Sequence, residues 1–303
     1  MKIILSRKGF DSGYGGCASP IFPDKSMASF PIPDACEELH TMKNVRCGKY
    51  NCNLGEVAEN LTRGLKPAHP IGDKQMIHLD PDLRDSRSMG KAGWLQAFGQ
   101  DGSAQSHLSK QRVGENDLFL FFGWFRCVEL VEKRWHFVPD APDIHVLFGW
   151  LQVGTPLKVA EYQNRSAEYQ WLAEHPHIRH ADRYPKNNTI YIAAPQLSIN
   201  KNLPGGGTFS HFDDALRLTH PDSHLRSVWQ LPSWFSQMDA NDRHALTYHG
   251  RASRWCHDEK FPSHVRLQSV AKGQEFVLNI DSNNSSDASR WLRKLFKTQS
   301  NRG

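Results

Sequence analysis

Apolar residues in this chain fall into a few dense blocks separated by polar stretches rich in glycine and proline, and the spacing within each block predicts its element. The opening "KIIL" predicts a short strand running into the loop "SRKGFDSGYGG". Prolines 20, 23, 31 and 33 exclude helix from the next stretch and predict extended segments around a turn at Pro23-Asp24-Lys25. In "LGEVAENLTRG", Leu54, Val57, Ala58 and Leu61 share one helical face, and Gly64 marks the C-terminal stop. "KQMIHLDPDLRD" predicts a strand ending at Asp80, because Pro81 blocks its continuation. "DGSAQSHLSKQRVG" predicts a short helix capped by Asp101 or Ser103.

The middle of the chain carries two blocks that echo each other, "NDLFLFFGWFRCVEL" and "IHVLFGWLQVGTPL". Both are rich in aromatic and β-branched residues, the composition of buried strands, and "VEKRWHFVPDAPD" between them suits an excursion joining two strands. Further on, "SAEYQWLAEH" predicts a helix from Ser166, "NNTIYIAAP" a strand, and "LPGGGTFSHFDD" a flexible loop around Gly205, Gly206 and Gly207. "VRLQSVAKGQEFVLNID" reads as strand, turn at Lys272-Gly273, strand. The last block sets Ala288, Trp291, Leu292, Leu295 and Phe296 on one helical face behind a Ser285 or Ser286 cap, with Arg290, Arg293, Lys294 and Lys297 on the solvated face. No linker composition divides the chain. The expectation is an α+β fold, a single globular unit over residues 1–299 with a curved mixed sheet or small barrel and peripheral helices, and a frayed tail at 300–303.

Composition adds exclusions. The longest apolar run, Leu118 to Phe125, is far short of the roughly 20 residues of a membrane span. One lysine and a short apolar stretch at the N-terminus are too little for a secretory signal, so the expected location is the cytoplasm, away from membranes. The six scattered cysteines include a C-x4-C pair, Cys47 and Cys52, but no second pair to complete a zinc site, so all are expected as reduced thiols. A net charge of +5 permits a polyanionic partner without demanding one.

Five stretches could carry chemistry. In the opening loop, Arg7, Lys8 and Asp11 stand among glycines, including Gly15 and Gly16, whose backbone N–H groups can turn toward an anion; a solvated tight turn is the alternative. In "HLDPD", His78 and Asp80 lie two apart and so point to one side of a strand, and Pro81 presents Asp82. Such a set holds a divalent metal through Asp80 and Asp82 or places an acid and a base, while a plain Asp-Pro turn beside a packed histidine reads equally well. Gln100, Gln105 and His107 are neutral hydrogen-bonding groups able to read the edge of a base, or to act as ordinary caps. "EHPHIRH" alternates His175, His177 and His180, which suggests metal, yet no carboxylate or cysteine completes the set, which favours a histidine-rich solvated loop. "TYHGRASRW" interleaves Arg251, Arg254 and Trp255, as stacking on bases and contacting phosphates requires, or as surface charge beside a core aromatic. No G-x-S-x-G, H-E-x-x-H, P-loop or zinc-deaminase signature is present.

Taken in order, "KIILSRKGFDSGYGG", "SPIFPD", "HLDPD", "FGQDGSAQSHL", "DLFLFFGWF", "HVLFGWLQV" and "GQEFVLNID" resemble the third of the nucleotide-modification-associated domain families, over nearly the whole chain. These are bacterial and phage proteins grouped with machinery for base hypermodification in DNA. "TMKNVRCGKYNCN" falls outside the resemblance and is expected as a local loop. The resemblance implies a nucleotide or nucleic-acid partner, alongside other proteins of a DNA-modification system. It favours an enzyme of nucleotide or base modification in which Arg7 and Lys8 hold phosphate, His78, Asp80 and Asp82 carry the chemistry or a divalent metal, and Gln100, Gln105 and His107 orient a base. The alternative is a non-catalytic reader of modified nucleic acid, built on a PUA-like barrel formed by the FGW strands, with Arg251, Arg254 and Trp255 contacting the ligand.

Overall fold

A computed structural model describes residues 1–13, 15–45, 47, 50, 52–63, 65, 71–83, 93–236, 246–271, 273–280 and 285–300, the side chains of 298–300 excepted. In chain order the strands and helices are β1 (Lys2–Arg7), β2 (Ser19–Ile21), β3 (Ile32–Pro33), α1 (Leu54–Thr62), β4 (Ile77–His78), β5 (Ala97–Gln100), α2 (Gly102–Lys110), β6 (Leu118–Val131), β7 (Arg134–Phe137) and β8 (Ile144–Lys158). There follow α3 (Tyr162–Arg165), α4 (Pro176–Arg179), β9 (Thr189–Ala193), β10 (Gly206–Thr208), β11 (Val228–Pro232), β12 (Trp255–His257), β13 (His264–Gln268), β14 (Glu275–Asn279) and α5 (Ser285–Ser300).

The two FGW blocks become β6 and β8, the long central strands, and they pair directly and antiparallel with Leu120 opposite Trp150 and Phe125 opposite Ile144. The main sheet runs β14-β1-β6-β8-β9-β5 and is mixed, because β1 lies parallel to β6 and antiparallel to β14. The far half of β6 pairs with β2 and β7. Six phenylalanines of the core are essentially without exposure on β5, β6 and β14: Phe98, Phe119, Phe121, Phe122, Phe125 and Phe276. At about 1.5–3 kcal/mol for each fully buried large side chain, this aromatic layer dominates the core. The apolar face of α5, with Ala288, Leu292, Leu295 and Phe296, closes over it as its spacing predicts. A three-stranded sheet, β11-β13-β12, adds Trp229, Leu231, Val265 and Leu267 to the same core.

The barrel expectation is corrected. The sheet curls until Gln100 on one edge strand donates from Nε2 to Glu275 Oε1 on the other edge strand, at 2.7 Å. Among the described residues the two edges meet through side chains only, their backbones do not pair, and α2 packs against β14 beside the seam. The α+β fold and curved mixed sheet hold; a closed PUA-like barrel does not form.

Two local expectations also change. "LPGGGTFSHFDD" contains β10, paired antiparallel with β8, because the glycines allow contact that side chains would forbid. A Cβ on Gly205 would stand 1.9 Å from the carbonyl oxygen of Ala194. "SAEYQWLAEH" is not one helix: Tyr169 takes φ −121° and ψ 42°, and only a 3-10 turn over Gln170–Glu174 follows, which lets Tyr169 and Leu172 both enter a side core with Tyr162, Ile190 and Ile192. The two strands expected in "VRLQSVAKGQEFVLNID" do form, as β13 and β14, and they belong to different sheets. The expected stop at Gly64 and the Lys272 half of the Lys272-Gly273 turn lie outside the described residues. α1 itself forms as predicted, with Asn53 Oδ1 accepting from the Glu56 N–H.

Candidate metal and nucleotide site

β4 and the Asp80–Pro81 segment, whose peptide bond is cis, run past β5, and Asp82 exchanges two backbone hydrogen bonds with Ala97. This pairing carries Asp80 beside Gly99, whose N–H donates to Asp80 Oδ1 at 2.8 Å. The α4 segment, entered through Pro176 at its first turn, then delivers His175 and His177 to the same carboxylate. His177 Nε2 lies 3.5 Å from Asp80 Oδ2, His78 Nε2 lies 3.7 Å from the same oxygen, and His175 Nε2 lies 3.7 Å from Oδ1. The solvated-loop reading of "EHPHIRH" is therefore corrected: His175 and His177 are 6% and 3% exposed, and the carboxylate that joins them is Asp80 of "HLDPD".

These separations exceed good hydrogen bonds but suit donors sharing a cation. Ligand atoms in a tetrahedral zinc site with bonds of roughly 2.0–2.1 Å sit about 3.3 Å apart. One ligand atom each from His78, Asp80 and His177 can be chosen so that all lie within 4.8 Å of one another. The outer contacts prepare the donors. Asn188 donates from Nδ2 to the His177 carbonyl at 3.2 Å, which turns its Oδ1 to accept from His177 Nδ1–H at 2.6 Å. His177 Nε2 is left facing Asp80, the arrangement by which outer partners orient metal-binding histidines. Asp34 Oδ2 stands 3.6 Å from His78 Nδ1 in the same relation. The His177 ring stacks on Tyr184 with centroids 4.2 Å apart. His175 is set the other way. Its Nδ1 accepts from the His177 N–H at 3.2 Å, so in the neutral ring Nε2 bears the proton, and that buried atom has no hydrogen-bond partner.

Charge follows geometry. Burial works against an ionised Asp80, but His175, His177 and His78 outweigh it and hold the carboxyl well below its usual range. Burial opposes a charged His78, yet Asp34 and Asp80 overcome this and raise it to about 9. Burial pushes His175 down despite Asp80. His78 in turn is the main reason that Asp34 stays ionised far into acid.

Asp80 and His175 open onto a cavity of about 1000 Å³. Its walls carry the carboxylates of Asp24, Asp80, Asp82 and Glu174, and aromatic rings including Phe22, Trp94, Phe148 and Trp171. Lys8 is the one lysine or arginine among the lining residues, and its Nζ is already 2.8 Å from Glu275 Oε1.

The other residues singled out from the sequence fall into two further places. Lys8, Gln100, Gln105 and His107 line the buried seam between the sheet edges: Gln105 Oε1 accepts from the Tyr191 hydroxyl at 3.1 Å, and His107 Nε2 is 3.0 Å from Thr247 Oγ1. Arg7, Asp11, Gly15, Gly16, Arg251 and Arg254 lie around the opening loop and the segment that precedes β14. Arg7 donates through both terminal nitrogens to the carbonyls of Val270 and Ala271, Asp11 Oδ1 accepts from the Gly13 N–H, and Gly16 N–H donates to the Asp11 carbonyl. Gly15, at φ +83°, lies flat on the Phe10 ring. Trp255 is 6% exposed and donates from Nε1 to the His249 carbonyl, so its ring face is used inside the protein. His175, His177, Asp34 and Asn188 are functional candidates that sequence spacing does not connect; the alternating histidines were the one legible trace.

No curated protein and no solved structure matches the chain. A family model described as nucleotide modification associated domain 3 matches residues 2–279 of the 303, so the chain belongs to that family and stands in the context of nucleotide modification.

Proposed function

We propose that the protein is an enzyme that modifies a nucleotide or a base within nucleic acid, using a divalent metal held by His78, Asp80 and His177 at the wall of the cavity. The observation that carries this reading is the gathering of a ring nitrogen each from His78 and His177 and an oxygen of the Asp80 carboxylate within 4.8 Å of one another, with Asn188 and Asp34 as outer partners of the two rings. Three protein ligands leave a position open, the pattern of a catalytic rather than a structural site. A divalent ion there supplies a Lewis acid beside the cavity.

The cavity lining supports a base as the group admitted. Carboxylates accept from the exocyclic amine and ring N–H groups of a nucleobase, the aromatic rings offer stacking faces, and phosphate is disfavoured among so many acids. His175, with a buried N–H and no partner for it, serves as a donor to a substrate atom near Asp80, and Asp82 faces the same space.

Elemental analysis of protein purified without chelator, beside His177→Gln and Asp80→Asn, tests the reading. Near-stoichiometric zinc, iron or manganese in the wild type, lost in both folded variants, is the expected result. Wild type that neither carries nor takes up any of these metals at micromolar concentration overturns it.

A further inference from the structure

The opening loop leads from the cavity to a basic face that the proposed chemistry does not use. Lys8 and Gly9 line the cavity, and a Cβ on Gly9 would press on Ser29 and Phe30, which line it too. A few residues on, Ser12 Oγ accepts from Arg226 Nη2 at 2.9 Å. The Arg226 guanidinium lies over the Trp124 ring, 4.1 Å from its centroid. Arg7, already disfavoured as a cation by burial, is close enough to Arg226 to be disfavoured further, with Asp11 as the partial counter-charge. Arg254 joins from the 3-10 turn before β12, donating to the Gln268 carbonyl at 3.1 Å, and Gln268 reaches back to Ser227 Oγ. Arg251 is exposed beside it.

Two features separate this face from a scatter of surface charge. First, like charges are gathered where repulsion costs free energy, and only Asp11 offsets them at Arg7. Second, the Arg226 guanidinium is held in place, stacked on the Trp124 ring and bonded to Ser12 Oγ, so its charge is positioned rather than mobile. An exposed aromatic completes the set. Tyr248, 52% exposed and held at φ +69°, rests on His107 and lies against Phe276, the ring that Arg7 also covers. Positioned arginines next to an open aromatic face match a phosphodiester backbone and its bases.

We infer that the face formed by Arg226, Arg251, Arg254 and Tyr248 binds the backbone of a single-stranded polynucleotide, holding phosphates outside while the opening loop leads one base toward the cavity. This rests on the proposed function for what happens in the cavity, but not for the binding itself, which needs no metal.

Fluorescence anisotropy with a labelled 20-nucleotide DNA strand, its RNA equivalent, the matching duplex and a free mononucleotide tests it, on wild type and on Arg226→Gln/Arg254→Gln and Arg251→Gln. The metal-free protein after EDTA treatment is used throughout, so a failed metal site does not mask the result. Single strands are expected to bind more tightly than the duplex and the mononucleotide. Each neutralised arginine is expected to reduce the salt slope by about 0.7, and the double variant to lose at least about tenfold in affinity for every sequence. Arg226→Lys/Arg254→Lys, which keeps charge, is expected to recover the salt slope and so to exclude simple unfolding. Equal affinity in wild type and folded glutamine variants, or a preference for the mononucleotide, overturns the inference.

Discussion

Gly99→Ala probes the metal site without touching a ligand. The new methyl carbon would lie 2.4 Å from His177 Cδ2, 2.5 Å from Cγ and 2.8 Å from Nδ1, where ordinary contact begins at 3.4 Å. The imidazole must therefore retreat by about 1 Å, and little around it yields: Tyr184 is stacked on the ring, Asn188 holds Nδ1, and the residue is 3% exposed. Metal–ligand bonds tolerate roughly 0.2 Å, so a shift of this size removes His177 from the coordination set. Two remaining ligands, His78 and Asp80, hold zinc far less tightly. The expected loss is at least about 100-fold in zinc affinity, or about 2.7 kcal/mol. Competition against a chromophoric chelator measures this, with near-UV circular dichroism confirming that the fold persists. Zinc affinity within threefold of wild type in a folded Gly99→Ala protein would refute the reasoning, because His177 could then not be a ligand.

Other consequences are open to direct measurement. His145 is pushed down to about 3 by burial and by the charges of Arg7 and Arg226, and its Nδ1 accepts from Trp229 Nε1–H at 3.0 Å. The unfolded chain takes up this proton below about pH 6.5 and the folded chain does not. Stability should thus fall with acid across pH 6.5 to 3, by about 2 kcal/mol from this group at pH 5; urea unfolding at pH 7 and pH 5 should show that slope flattened in His145→Gln. Lys8→Met removes the cation 2.8 Å from the buried Glu275 carboxyl group and leaves Gln100 as the donor to Oε1, and should cost about 3–5 kcal/mol, most of it restored by adding Glu275→Gln. A Lys8→Met protein as stable as wild type would show that the pair is not buried in solution. Gly205→Ala drives a methyl group into the Ala194 carbonyl and should lower stability by about 3 kcal/mol or more, read as a drop in Tm. An unchanged Tm would mean that β10 is not docked on β8.

Much of the fold was legible because its signals are local. The FGW blocks had the composition of buried strands and became the two central ones; the spacing in α1 and α5 placed those helices, and the cap signal at Asp101 placed the start of α2, which ends at Lys110, short of the expected stop at Gly114. Where local signals misled, a tertiary contact had overridden them. Three consecutive glycines suggest flexibility, yet here they let β10 lie against Ala194, Gln96 and Trp150. Strong strand pairs suggested closure into a barrel, yet whether the edges of a sheet meet depends on accumulated twist and on what fills the gap, here α2 and the Gln100–Glu275 seam.

The sequence alone determined the family, the strand-rich α+β class, and the oddity of "HLDPD" and "EHPHIRH" as polar clusters in otherwise ordinary stretches. Each cluster was incomplete by itself, one with a single histidine beside its acids and the other with histidines whose chain neighbours Glu174 and Asp182 do not complete a ligand set among the described residues. Only the tertiary structure decided that they are two halves of one site. The pairing of Asp82 with Ala97, and of β5 with β9, brings Asp80 within 3.5 Å of His177. The physical reason is that a metal site needs convergence of a few atoms to tenths of an ångström, whereas sequence periodicity reports only which side of its own element a residue faces.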